Sequence, residues 1–66
     1  MKNFHYKGYF VFFDQNPNGS ILGYADNDTD RFKICFYDYS LTEIYKRMKK
    51  QCTFRLENNV NEGYSL

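Results

Sequence analysis

The stretch that decides the fold class is residues 4–13, which read FHYKGYFVFF. Aromatic and β-branched side chains favour strands because they pack well on a pleated surface. The stretch therefore predicts one long strand, and Gly8 within it indicates a bulge or a sharp bend. Aromatic residues are also frequent elsewhere, because the chain of 66 residues contains seven Phe and seven Tyr. This composition indicates a β-rich fold.

Two further strands are predicted after this stretch. Residues 14–20 contain Asn-Pro and Asn-Gly, dipeptides that favour turns, so we expect a hairpin loop there. Residues 21–25 form the second predicted strand, residues 26–30 a polar loop and residues 31–39 the third strand. Side chains alternate between the two faces of a strand. In the third strand this alternation puts Phe32, Ile34 and Phe36 on one face and Cys35, Tyr37 and Tyr39 on the other.

A helix is predicted next, followed by two more strands. Ser40-Leu41-Thr42-Glu43 has the S-x-x-E pattern of a capping box. Apolar residues then recur at helical spacing at Leu41, Ile44, Tyr45 and Met48, which predicts a helix of about ten residues. The alternation of Cys52, Phe54 and Leu56 with polar residues predicts a fourth strand facing the helix. After a turn at Asn58 and Asn59, residues 60–66 are predicted as a short fifth strand.

The predicted element order is that of the OB-fold. That fold is a small five-stranded Greek-key β-barrel, here with one short helix between strands 3 and 4. The chain is long enough for a single domain, which we assign to residues 1–66. A closed barrel would also remove the sheet edges that invite aggregation.

Composition argues against several functional classes. The formal net charge of +1 is small for a protein that binds duplex nucleic acid. The two cysteines, Cys35 and Cys52, are each surrounded by apolar residues, so we expect both to be buried. With the single histidine, His5, they match neither a catalytic dyad nor a zinc site. Residues 26–30 resemble the start of a calcium loop. Arg31 and Tyr37, however, occupy the sixth and twelfth positions, where such a loop has Gly and Glu. We expect no enzymatic activity, no catalytic residue, no metal and no cofactor.

The N-terminal residues do not have the pattern of a signal peptide. No apolar run approaches the roughly 20 residues that cross a bilayer. We therefore expect a cytoplasmic protein that makes no contact with a membrane.

The aromatic residues give the strongest indication of function, because the interior of so small a barrel cannot hold all of them. Exposed rings on a sheet can stack on unpaired bases, with about 1–3 kcal/mol per base. They can equally contact another protein, since Tyr and Phe are enriched at protein interfaces. The basic cluster of Lys46, Arg47, Lys49 and Lys50 is expected to complement the helix dipole, with phosphate binding as the alternative. The residues alone leave these alternatives open.

Three stretches carry a resemblance to a known family: residues 8–14 (GYFVFFD), 23–25 (GYA) and 35–40 (CFYDYS). They resemble the G-x-V-K-W-F-N, K-G-F-G-F-I and V-F-V-H-F-S motifs of the cold-shock domain, an OB-fold that binds single-stranded RNA and DNA. Residues 50–54 weakly resemble its later G-Q-x-V-x-F segment.

The resemblance implies a set of binding residues. Its base-stacking positions fall on Phe12, Tyr24, Phe36 and Tyr39, with Phe13 beside them, and Asp38 takes the place of a family histidine. Val11 also replaces a lysine that faces phosphate. The resemblance exposes Phe36, whereas alternation along the third strand buries it.

The sequence thus predicts a non-catalytic protein that binds single-stranded RNA or DNA by stacking, with little sequence specificity. The alternative is a cold-shock-like barrel that has lost this binding and contacts a protein partner, or a second copy of itself, through its aromatic face.

Overall fold

Four antiparallel strands precede one helix in the computed structural model, which describes residues 1–58. The strands are β1 (Phe4–Tyr6), β2 (Tyr9–Gln15), β3 (Ile21–Asp26) and β4 (Arg31–Phe36), and the helix is α1 (Leu41–Asn58). The strands lie in the order β1-β2-β3-β4, so each one pairs with its neighbour in sequence. The sheet is therefore open, with β1 and β4 at its two edges.

The first aromatic stretch is a hairpin, so the prediction of one long strand is wrong. Tyr6 pairs with Tyr9, and the two residues between them, Lys7 and Gly8, form the turn. Both have positive φ, 50° for Lys7 and 89° for Gly8. Two positive φ values in succession are those of a tight type I′ turn, whose twist matches that of the flanking strands. Gly8 thus marks a sharp bend, the second of the two predicted alternatives, and this bend reverses the chain.

The two polar loops lie where the sequence predicts them. Between β2 and β3, the Asn16 amide donates to the Ser20 carbonyl (2.8 Å), and the Asn18 side chain accepts from the Ser20 amide (2.9 Å). Between β3 and β4, Asn27 Oδ1 accepts from the Asp30 amide (2.6 Å). Short polar side chains that bond nearby backbone in this way are typical of turns.

The predicted fourth strand, residues 52–57, is wrong because α1 continues through it. Ile44, Met48 and Cys52 are spaced four residues apart and are fully buried, so they form one face of a longer helix. Phe54, predicted to face the core, is 52% exposed. Cys52 and Leu56 are four residues apart, a spacing that fits a helix as well as an alternating strand. These two residues alone therefore do not distinguish the two structures. The predicted start is confirmed, because Ser40 Oγ caps the Glu43 amide (3.2 Å).

The five-stranded OB-type barrel is also wrong. The helix follows the fourth strand of an open sheet and does not separate a third strand from a fourth. Its eighteen residues pack against one face of the sheet. A covered face supplies a core without barrel closure, which is the ordinary arrangement when helices lie on one side of an antiparallel sheet. The predicted fifth strand, residues 60–66, lies outside the described residues.

The core lies between α1 and the sheet face that we call the covered face. Its fully or almost fully buried apolar residues are Tyr9, Val11, Ala25, Phe36, Ile44, Met48 and Cys52. Gly23 lets the helix approach closely, since a Cβ at this position would lie 2.8 Å from Met48 Sδ and 3.1 Å from Phe36 Cε2. The predicted inward face of Phe32, Ile34 and Phe36 is confirmed, and Phe36 is only 2% exposed.

A polar cluster holds the C-terminal half of the helix onto the sheet. Arg55 binds Asp30 through two hydrogen bonds, Nε–Oδ2 at 2.7 Å and Nη2–Oδ1 at 2.9 Å, and the Tyr9 hydroxyl donates to the same carboxylate. Hydrogen bonds from Arg55 hold the pKa of Asp30 well below its usual value. Burial and the bond to Asp30 raise the pKa of Tyr9 to about 12. The cluster is structural, because every member has its partner within it.

Candidate aromatic surface

The face of the sheet opposite the helix, which we call the open face, carries the candidate site. Alternation along each strand sends every second side chain to it. The strand register places His5, Phe10, Asp26 and Arg31 in one row, Phe12, Tyr24 and Lys33 in the next, and Asp14, Leu22 and Cys35 in the third. No element among residues 1–58 packs over these rows, because α1 lies on the covered face. Their side chains are therefore available to a ligand.

Four rings stand side by side on the open face and form what we call the ring column: His5, Phe10, Phe12 and Tyr24. Phe12 and Tyr24 are nearly parallel, with centroids 4.9 Å apart and 6° between their planes. Phe10 stacks on Phe12 at 5.4 Å, and His5 lies against Phe10 at 5.0 Å. Neighbouring rings support Phe12 from both sides. The rings are thus held in place before any ligand binds, which lowers the entropic cost of binding.

A recess of about 380 Å³ lies beside the ring column, lined by Phe12, Tyr24, Ala25, Asp26 and Arg31. Arg31 Nε donates to Asp26 Oδ1 at 3.2 Å, and the Arg31 side chain is 81% exposed. The recess therefore combines aromatic surface with one donor group and one acceptor group at its rim. Such a combination can hold a planar heterocycle, which needs a ring to stack on and polar partners for its edge.

The fixed charges of the open face almost cancel. Arg31 is paired with Asp26, which leaves Lys33 opposite Tyr24 and Asp14 opposite Leu22. A ligand would thus gain little from long-range attraction to this face, and affinity would have to come from ring contacts.

The structure brings together only two of the predicted binding residues. Phe12 and Tyr24 lie in the ring column. Phe13 and Phe36 lie on the covered face, where Phe36 is buried and Phe13 packs against the Tyr45 ring at 5.4 Å. The conflict over Phe36 is resolved in favour of strand alternation.

The other two predicted residues, Asp38 and Tyr39, lie in the connection between β4 and α1. Asp38 has a φ of 59°, a left-handed conformation in which Asp is tolerated better than most residues. The Arg47 guanidinium lies 4.5 Å from the centroid of the Tyr39 ring. Asp38 and Tyr39 therefore shape the start of the helix, and neither belongs to a row of the open face.

Sequence reasoning missed Phe10, Lys33 and Arg31 as members of the surface. Strand alternation identifies Phe10, because it lies two residues from Phe12 on β2 and so shares its face. The strand register identifies the other two, because it places Arg31 opposite Asp26 and Lys33 opposite Tyr24. A motif match assigns roles by position within the motif and carries no information about which strands pair or in which register.

The two cysteines lie on different sides of the sheet. Cys35, predicted to be buried, is exposed in the third row of the open face. Its hydrogen bond to Tyr37 raises the pKa of that hydroxyl above its usual value. Cys52 lies on the buried side of α1, and burial raises the pKa of its thiol to about 11. Both are free thiols, and the sheet itself separates them.

The basic residues of α1 form a separate surface. Lys46, Arg47 and Lys50 line a cleft of about 640 Å³ between the helix and β4, together with Ile34, Glu43 and Gln51. Lys49 lies on the other side of the helix, 5.6 Å from the ring of Phe4. The cluster lies in the middle of α1, so the prediction that it complements the dipole at the C-terminal end of the helix is wrong.

Within residues 1–58, α1 is too polar to be a membrane-spanning helix, and no three His, Cys, Asp or Glu side chains are grouped as metal ligands. No family model matches the chain, and neither curated proteins nor solved structures are significantly similar to it.

Proposed function

We propose that the protein binds single-stranded nucleic acid on the open face, with one unpaired base in the recess beside Tyr24. The observation that carries this proposal is the ring column, on the side of the sheet that no element within residues 1–58 covers. Four-stranded sheets with one face covered by helices and aromatic rings on the other are a recurrent platform for unpaired bases. The proposal rests on this geometry and does not depend on the cold-shock resemblance, whose barrel is wrong.

The roles of the individual residues follow from their positions. A base that enters the recess stacks on the Tyr24 side of the ring column, because Phe12 already has a ring on each side. Arg31 and Asp26 offer a donor and an acceptor to the edge of the base, and Lys33 lies beside Tyr24, where it can meet a phosphate. Since stacking does not discriminate strongly among bases, we expect low sequence specificity.

The near-neutral charge of the open face favours a second candidate, a homodimer through the same rings. Apolar faces with few unpaired charges are typical of contacts between subunits. In that arrangement the rings of two copies would interdigitate, and Arg31, Asp26 and Lys33 would form the polar rim.

Fluorescence anisotropy with labelled oligo-U and oligo-dT tests the proposal at low salt. Tyr24→Phe keeps the ring and is expected to bind like the parent. Tyr24→Leu keeps apolar bulk without the ring and is expected to weaken binding roughly five- to 150-fold, the equivalent of one lost stacking contact. Tyr37→Leu, at a tyrosine that is 60% exposed in the connection before α1, is the matched control and should have no effect.

Two results would contradict the proposal. One is the absence of binding at about 100 μM protein, well above the dissociation constant that several stacked rings should give. The other is binding that tolerates Tyr24→Leu but is lost when Lys46 and Lys50 are both changed to Glu, which would place the ligand on the helix. Sedimentation of the same samples tests the homodimer: a dimer that Tyr24→Leu dissociates, in a protein that binds no oligonucleotide, would support the second candidate.

A further inference from the structure

Within residues 1–58, the edge of the sheet formed by β4 has no strand paired to its outer side. All six residues of β4 pair with β3. β1, at the opposite edge, has only three residues. An exposed edge strand is a template to which an extended chain can add through main-chain hydrogen bonds. β4 is long enough to accept such a strand.

The basic cleft lies directly beside this edge. Its lining comes from one residue of β4, Ile34, and from the side of α1 that faces β4: Glu43, Lys46, Arg47, Lys50 and Gln51. Ile34 points from β4 toward the helix, so every second side chain of a strand added to β4 would point into the cleft. The other side chains of the added strand would lie beside Lys33 on the open face.

Charge along this edge is positive and unbalanced on both sides. Glu43 is paired with Arg47 at 3.7 Å, and Arg31 is paired with Asp26 at 3.2 Å. Lys46 and Lys50 in the cleft and Lys33 on the open face have no acidic partner among the described residues. Three cations thus flank the path of an added strand.

We infer that β4 accepts an extended acidic segment of a partner protein as an additional strand, with acidic side chains placed in the cleft against Lys46 and Lys50. Charge also excludes the simplest alternative occupant, because a second copy pairing through its own β4 would bring Lys33, Lys46 and Lys50 against the same cations. This inference concerns the β4 edge and the cleft, which share only Lys33 with the proposed base-binding surface, and it does not rest on the proposed function.

A titration with three labelled peptides of about eight residues, the length of an ordinary strand, tests the inference. The first alternates Glu and Val, because Val favours the extended conformation. The second has the same sequence with N-methyl groups on successive central residues, which removes its main-chain donors without changing its charge. The third alternates Lys and Val. The first peptide should bind, the second should bind at least tenfold more weakly, and the third should not bind.

Two double variants locate the site. Lys46→Glu with Lys50→Glu should abolish binding of the Glu-Val peptide, whereas Lys2→Glu with Lys7→Glu, the same charge change away from the cleft, should reduce it only slightly. Circular dichroism verifies that both variants keep the fold. Amide NMR shifts of the parent should be largest in β4.

Three results would overturn the inference. Equal binding of the N-methylated peptide would show that charge alone is responsible, and absence of binding by the Glu-Val peptide would remove the site. Displacement of the peptide from the Tyr24→Leu variant by oligo-U, at an equal molar concentration of negative charges, would indicate a general polyanion surface. Tyr24→Leu should leave peptide binding unchanged, so failure here is distinguishable from failure of the proposed function.

Discussion

The two faces of the sheet carry similar aromatic residues for opposite purposes. On the covered face, Tyr9 and Phe36 are buried against α1, and their rings fill the core. On the open face, Phe10 is 38% exposed, and its ring packs against those of His5 and Phe12. The difference is set by strand parity, since Phe12 and Phe13 are adjacent in sequence yet lie on opposite faces. Residue type therefore does not separate core from surface here, whereas position in the register does.

The largest expected effect compares one phenylalanine from each face. Phe36→Ala should lower the free energy of unfolding by about 3–5 kcal/mol, because it leaves a cavity under the helix. Phe10→Ala should cost less than about 2 kcal/mol, because this ring is already in contact with water. Urea denaturation measures both values. Equal losses would mean that the open face is as much a part of the core as the covered face.

The second comparison sets two arginine–aspartate pairs against each other. Arg55→Ala should cost about 1.5–3 kcal/mol, because it removes two charge-assisted hydrogen bonds to the largely buried Asp30. Arg31→Ala, which breaks the exposed pair with Asp26 on the open face, should cost less than about 1 kcal/mol. Thermal unfolding of the two variants at one pH gives the ranking. A larger loss of stability for Arg31→Ala than for Arg55→Ala would contradict the assignment of Arg55–Asp30 as the ion pair that stabilises the fold.

A third, smaller effect concerns alkaline pH. The pKa of Tyr9 rises from 10.0 to about 12 on folding, so the native state holds this proton more tightly. The resulting stability is fully present below pH 10 and declines as the pH rises toward 12. Tyr9→Phe has no proton to lose, so the advantage of the parent over this variant should shrink by about 1–2 kcal/mol over that range. A constant difference between the two proteins would show that Tyr9 is not protected by the Asp30 cluster.

The smallest perturbation distinguishes the two cysteines. Cys35 is exposed on the open face and should react at once with a thiol reagent, whereas Cys52 should react only when the protein opens. Cys35→Ser should change the free energy of unfolding by less than about 0.5 kcal/mol. Counting fast-reacting thiols in the parent and in Cys35→Ser gives one and none. Two fast thiols in the parent would mean that α1 does not protect the covered face.

The strands β3 and β4, both polar loops and the start of the helix could be predicted from the sequence, because turn residues and the capping box act locally. The ends of elements could not. Cys52 and Leu56 satisfy both a strand pattern and a helix pattern, and only packing of Cys52 against the sheet decides between them. A bend at Gly8 was among the predictions, but a complete hairpin there was not, since Lys7 is a residue type that is uncommon at positive φ.

The candidate site was predictable only in part, for a related physical reason. Phe12 and Tyr24 were identified, and the register places them side by side. Phe13 and Phe36 were assigned from a motif, but the helix covers the face on which they lie. Which face a helix covers depends on contacts distant in sequence, such as that between Gly23 and Met48. Such contacts cannot be deduced from a local pattern.

The most direct test of the central claim is an amide NMR titration with oligo-U at low salt, performed on the parent and on Tyr24→Leu. Binding on the open face predicts that the largest shifts in the parent follow Phe10, Phe12, Tyr24 and Lys33, while the helix amides at Ile44 and Met48 change little. It also predicts that these shifts are greatly reduced in Tyr24→Leu. Shifts centred on Lys46 and Lys50, or a pattern that Tyr24→Leu leaves unchanged, would contradict the assignment of the open face as the binding surface.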